Sequence, residues 1–284
     1  MNISSVSVYR PIQPHINNKP SFKGFDWDED LIPDNDYDRQ TRDRLRFDMY
    51  SRLFGISTAN ECSSSTVMSY ARNLEDARIL NYRNLGNSSY SGECLMHNTD
   101  YFRLLRPSGV TKIIDLIKKP NLEETCKEKG LDYYFYDMNW GYGKKSMFFD
   151  EAKLIEEKNA SLTKSGLTDE EKKHALNDYI SKLDKEKTSD IKELAKLIDV
   201  VNEGHFYMSC EFGEFRTVNC LALVSIFNPE WHGEKIDPTP EFAPKIEQLY
   251  MNLTEEHKQI LGIDEDYYKS LGKYFDNLKQ KYQN

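Results

Sequence analysis

No apolar run in this chain approaches the about 20 residues needed to cross a bilayer. Lysine and arginine (38) are outnumbered by aspartate and glutamate (47), so the chain also lacks the basic surplus that attracts nucleic acid or an anionic membrane. Its five cysteines, Cys62, Cys94, Cys126, Cys210 and Cys220, lack the close paired spacing of a disulfide framework or a zinc site, and they read as reduced thiols in a cytosol. None of the six histidines stands at metal-ligand spacing. The acidic stretch 26–38 lacks the loop glycine and closing glutamate of an EF-hand, which leaves it a solvated segment. Neither a metal nor a cofactor is expected. Residues 1–8 show no basic stretch ahead of an apolar one, which predicts a cytoplasmic protein without a Sec signal, or one exported as an effector by another route.

What is present suits one large domain with additions. Hydrophobic residues make up 38% of the 284, enough for a core, and 30% are charged. Residues 1–40 carry Pro11, Pro14, Pro20 and Pro33 and read as a loosely ordered lead-in. Residues 41–78 form a helical and loop segment, with a short helix over 41–53 and a loop at the serines 63–65. The main domain spans 79–235, and a lysine- and glutamate-rich insertion occupies 148–187. Within it, Thr168-Asp-Glu-Glu171 is a capping box that opens a helix through Ala175, Leu176, Tyr179, Ile180 and Leu183. The insertion reads either as a lid over a substrate or as a solvated decoration. A second helix over 189–203 is stopped by Gly204. Two amphipathic helices, 242–261 and 264–282, complete a C-terminal part, 236–284, packed on the same domain.

The chemistry concentrates after the apolar strand 204–209. Ser209-Cys210-Glu211-Phe212-Gly213-Glu214-Phe215-Arg216-Thr217 places five residues between a cysteine and an arginine, immediately before the apolar helix 218–227. A loop of that length can turn successive N–H groups inward around an oxyanion, with Gly213 free to take positive φ. The following helix aims its positive end at the same point. The thiolate is the nucleophilic form of cysteine, and a guanidinium grips two phosphate oxygens through its planar fork.

At these residues the chain resembles the cysteine-dependent protein tyrosine and dual-specificity phosphatases, whose signature is His-Cys-x-x-Gly-x-x-Arg-(Ser/Thr). Asn81-Tyr-Arg-Asn-Leu-Gly86, followed by Tyr101 to Ile117 with its Gly-Val-Thr-Lys-Ile-Ile-Asp-Leu run, looks like the opening of atypical members. The resemblance covers residues 79 to 227 apart from the insertion, and points to an atypical, bacterial-like member. It implies an α/β fold with a short, mostly parallel central sheet flanked by helices, in which Val110 to Ile117 supplies a buried strand.

The implied reaction is metal-free and two-step. Cys210 attacks phosphorus, Arg216 and the backbone of Glu211, Phe212, Gly213, Glu214 and Phe215 hold the phosphate, and Thr217 bonds the sulfur as it leaves. The family also uses an aspartic acid after the next strand, here 131–138, to protonate the leaving oxygen. No aspartate stands at the expected place near Trp140, so Asp137 is the first candidate and Asp150 the second. Trp140, Gly141, Tyr142 and Gly143 read as a loop whose aromatics line a pocket. Ser209 stands where the family carries histidine, and Glu211 and Glu214 add carboxylates that would disfavour polyanionic substrates if they face solvent beside the pocket. Phosphotyrosine in a protein is the expected substrate. Phosphoinositides or inositol phosphates, and binding of phosphorylated partners without turnover, are the alternatives.

Overall fold

The computed structural model describes residues 74, 79, 81–97, 101–138 and 146–283. All of them belong to the unit Ser63–Asn284. The lead-in 1–40, the helix expected over 41–53, Cys62, the serines 63–65 and the loop from Trp140 to Gly143 lie outside the described residues.

Five short strands, β1 (Arg83–Gly86), β2 (Ser89–Glu93), β3 (Lys112–Asp115), β4 (Asp132–Phe135) and β5 (Phe206–Cys210), form one sheet in the order β1-β2-β5-β3-β4. Only β1 and β2 pair antiparallel, and every other neighbour is parallel. The hairpin turns through Asn87 and Ser88, both at positive φ (46° and 51°), the backbone of a two-residue turn whose twist matches its strands. The helices are α1 (Phe102–Leu105), α2 (Leu122–Glu128), α3 (Glu151–Thr163), α4 (Asp169–Asn202), α5 (Phe215–Phe227), α6 (Ala243–Met251), α7 (Glu255–Ile260) and α8 (Glu265–Gln283). This is the α/β architecture with a mostly parallel sheet and flanking helices expected from the sequence. Among the described residues no helix is long and apolar enough to cross a membrane.

Alternation along β3 and β5 divides the core between the two faces of the sheet. Ile113 and Tyr207 face a cluster with Leu104, Leu105, Leu122 and Cys126. Ile114, Met208 and Cys210 face a larger cluster built from α4, α5 and the C-terminal helices. Helix α5 is apolar nearly all round and is accordingly buried from Asn219 to Phe227. Its buried Asn219 accepts a bond from Thr239 N (2.8 Å) and donates one to Thr239 Oγ1 (3.2 Å), tying the incoming C-terminal segment to the helix that follows the cysteine loop.

Two helical boundaries differ from expectation. The helices expected through Leu183 and over 189–203 are one continuous helix of 34 residues, α4, opened by the Thr168–Glu171 capping box. Its apolar stripe lapses across 184–188, where Lys187 does the anchoring: its buried ammonium donates to Glu151 (2.6 Å) and to the Asn252 carbonyl (2.9 Å). Conversely, the helix expected over 242–261 is two, α6 and α7, parted where Thr254 caps a new start. Thr254 Oγ1 accepts from His257 N (3.2 Å), and Thr254 N donates to His257 Nδ1 (3.3 Å).

Candidate active site

Strands β2, β5, β3 and β4 are mutually parallel, so their carboxyl ends share one edge of the sheet, the edge at which open α/β sheets bind ligands. Cys210 is the last residue of β5 and is 5% exposed. Five residues later α5 begins at Phe215, with half-buried Arg216 as its second residue and fully buried Thr217 as its third. The nucleophile candidate and the arginine are thus joined by one tight strand-to-helix turn.

Three bonds from outside hold that turn open. Cys94 N donates to the Glu211 carbonyl (3.1 Å). Asn81 Nδ2 donates to the Phe212 carbonyl (2.8 Å), and Arg83 Nη1 to the Gly213 carbonyl (2.9 Å). In a planar trans peptide the N–H points opposite to the C=O. Fixing three successive carbonyls toward the β1–β2 side therefore turns the N–H groups of Phe212, Gly213 and Glu214 toward the interior of the loop, an arrangement chemically able to hold an anion. The amino end of α5 adds its dipole to the same place.

Gly213 is required twice over. Its φ is +67°, and a Cβ there would overlap the Gly92 carbonyl and approach Glu93 N to 2.6 Å. The loop lies directly on the backbone of β2, and only a residue without a side chain fits between them.

The loop carboxylates differ from each other. Glu214 is exposed. Glu211 does not face solvent: it is ion-paired with Lys119, and its side chain is 14% exposed. Lys119 follows β3 and is set in place by buried Asp115. The Asp115 carboxylate accepts the amides of Lys119 (2.9 Å) and Ile117 (3.2 Å) and the Tyr133 hydroxyl (2.9 Å). Burial, and then the Asp115 charge, push the Tyr133 phenol above its ordinary value, so it stays a donor to that carboxylate. Burial lowers the Arg83 guanidinium from its ordinary value, against the opposing pull of Cys210 and Glu214, which places Arg83 within electrostatic reach of both. Cys94 beside the loop is pushed up to about 12, mainly by burial, and remains a thiol.

Ser209, the residue before the cysteine, points to the opposite face from Cys210 by strand alternation. Its hydroxyl and that of Thr217 are buried without a hydrogen-bond partner among the described residues. Phe215 is 44% exposed at the rim, with Phe212 half-buried nearby in the loop.

The two candidate acids are placed as follows. Tyr136 N bonds Asp115 O (2.9 Å) and Met138 N bonds Leu116 O (3.2 Å), so the chain continues β4 along β3 and half-buried Asp137 lies between two core residues, on the opposite face from both. Asp150 is exposed and caps α3, its Oδ1 accepting from Lys153 N (3.1 Å). The cysteine, glycine and arginine were readable from spacing alone. Lys119, and the roles of Asn81, Arg83 and the Cys94 amide, were not: Asn81 and Arg83 stood only inside the family-like stretch, and Lys119 gave no signal.

The geometry thus places a cysteine at the end of a central strand of a mostly parallel sheet, followed by a tight loop whose carbonyls are held from outside and then by a helix. No protein-family model and no curated protein matches the chain. Among solved structures it is similar to the core catalytic domain of the PP-IP phosphatase SIW14 from S. cerevisiae in complex with citrate, at 14% identity, covering 70% of this chain and 94% of that one with a TM-score of 0.31. It is also similar to the Yvh1 phosphatase domain from Chaetomium thermophilum, at 12% identity, covering 69% and 95% with a TM-score of 0.30. At these values neither likeness extends an activity to this chain.

Proposed function

We propose that the protein is a cysteine-dependent phosphomonoester hydrolase. The observation that carries this reading is the 210–216 loop, in which the carbonyls of Glu211, Phe212 and Gly213 are all held from outside, between a cysteine that ends a strand and an arginine in the first turn of the next helix. The Cys210 thiolate forms a bond to phosphorus as the bond to the leaving oxygen breaks, and that oxygen takes a proton from an aspartic acid, Asp137 first and Asp150 second. Arg216 and the loop amides hold the equatorial oxygens. Water then attacks phosphorus and gives a proton back to the aspartate, the sulfur–phosphorus bond breaks, and phosphate leaves while the Thr217 hydroxyl bonds the returning thiolate.

Protein phosphotyrosine is the first substrate. The buried position of Cys210 favours a long aryl phosphate, and Phe215 and Phe212 give the rim an aromatic character. Inositol phosphates and phosphoinositides are the second class, because pairing of Glu211 with Lys119 removes one of the charges that would repel them. A binding-only role remains the competing reading, favoured by Ser209 and by the lack of an aspartate near Trp140.

The test is hydrolysis of para-nitrophenyl phosphate from about pH 4.5 to 8, with and without EDTA. Turnover should resist EDTA and vanish in Cys210→Ser and Arg216→Lys. Whichever of Asp137→Asn and Asp150→Asn loses the basic limb of the profile identifies the acid. A phosphotyrosine peptide and inositol hexakisphosphate, compared by kcat/KM, separate the substrate classes. Wild-type protein that binds tungstate without turnover would establish the binding-only role.

A further inference from the structure

The side chain before Cys210 does not orient the loop, since the Ser209 hydroxyl makes no hydrogen bond among the described residues. Support comes instead from the short segment leading into the hairpin. The Arg83 guanidinium nitrogen Nη1 donates to both the Gly213 carbonyl (2.9 Å) and the Asn81 carbonyl (2.9 Å). Asn81, held at φ 52°, donates through its own amide to the neighbouring Phe212 carbonyl (2.8 Å). One guanidinium thus fixes a loop peptide and the residue that fixes the next one.

We propose that Arg83, acting with Asn81, is a positioning residue that keeps the Gly213 and Glu214 amides aimed at the bound oxyanion. It touches the back of the loop and acts through those amides. This inference rests on the reading of the loop as the phosphate site. A single guanidinium suits the task because its planar array of donors serves two carbonyls at fixed angles, whereas an ammonium presents its donors on a flexible stem. If the Gly213 carbonyl were released, its peptide would be free to rotate and the Glu214 N–H would leave the concavity.

Tungstate affinity by calorimetry reports loop geometry without requiring turnover, which separates failure of this inference from failure of the hydrolase reading. Arg83→Ala should bind tungstate about 100-fold more weakly and lose kcat/KM by a comparable factor, the size seen when one preorganised donor is removed from an oxyanion site. Added methylguanidinium should restore most of both, a rescue that a merely structural defect would not show. Arg83→Lys, with charge kept and the planar fork lost, should recover less than half of the loss on a logarithmic scale. Retention of wild-type tungstate affinity in folded Arg83→Ala, or full recovery in Arg83→Lys without methylguanidinium, would overturn the proposal. If Arg83→Ala does not fold, Arg83→Gln carries the same comparison, because it keeps one donor and should show an intermediate, guanidinium-responsive loss; wild-type affinity there would equally overturn it.

Discussion

Lys119 pairs with Glu211, the residue directly after the nucleophile candidate, across the gap between the loop that follows β3 and the loop that follows β5. The pair makes two neighbouring strand ends electrically one unit. A carboxylate that would otherwise repel an incoming phosphate is held and neutralised, and the holding lysine is fixed by the amide it gives to Asp115.

Breaking the pair from one side should therefore harm anion binding, and breaking it from the other should help. Lys119→Met removes the positive charge paired with Glu211 and should weaken tungstate binding about tenfold, or about 1.4 kcal/mol. Glu211→Gln should strengthen it, and the double variant should return close to the wild type. Calorimetric titration of the four proteins checks this, and a double variant as weak as Lys119→Met would show that Lys119 acts directly on the anion.

Gly213→Ala should cost about 2 kcal/mol or more, since a Cβ is strained at φ +67° and overlaps the β2 backbone. Urea unfolding measures the loss. Relief of the overlap requires the loop to move off β2, so tungstate binding should fall in the same variant. Unchanged binding would mean that the loop does not need its seat on Gly92 and Glu93.

Thr217→Val is expected to separate stability from turnover. The Thr217 hydroxyl is buried without a partner among the described residues, so an isosteric methyl should be neutral or stabilise by about 1 kcal/mol. Hydrolysis of the cysteinyl-phosphate should nevertheless slow, and rapid-quench labelling should trap more phosphoenzyme than in the wild type. Equal trapping would remove the hydroxyl from the second step.

Stability should also respond to pH at the junction of α4 and α7. Because Thr254 N can only donate, His257 Nδ1 must accept, which leaves Nε2–H to donate to Thr188 Oγ1 (3.1 Å). The ring is therefore held neutral. Burial first, and then the Lys187 charge, lower its pKa from the ordinary 6.5. Between the lowered folded value and 6.5 the unfolded chain binds more protons, so stability rises with pH through that window. The contribution is complete above 6.5 and is lost as pH falls toward the folded value. Urea midpoints from about pH 5 to 8 should show this slope in the wild type and a flatter one in His257→Gln.

The parts legible in the sequence were those in which one local signal carries the structure. Strand β5 and helix α5 are apolar runs, the capping box at Thr168 marked the start of α4, and β3 followed from the family resemblance. The hairpin β1–β2 escaped notice because its strands are made of Arg, Asn, Ser, Tyr and Gly and owe their form to pairing with each other and with β5. The unbroken course of α4 was hidden because a charged residue, Lys187, occupies the packed face where an apolar one is expected. At the candidate site the nucleophile, the glycine and the arginine follow from spacing. The residues that shape the loop do not, because Asn81 lies 131 positions from Phe212, and Arg83 lies 130 from Gly213.

The strand order has a consequence for how the molecule is made. β5 is the last strand in the chain and the middle one in the sheet. Until residues 206–210 are made, no strand can join β2 to β3, so any pairing of β1 with β2 or of β3 with β4 leaves an open edge. At about 5–20 residues per second the interval from the end of β4 to Cys210 lasts roughly 4 to 15 s. The segment that closes both edges also carries Cys210, so an unfinished chain has open strand edges but lacks the candidate nucleophile. The anion loop comes into being together with the completed sheet.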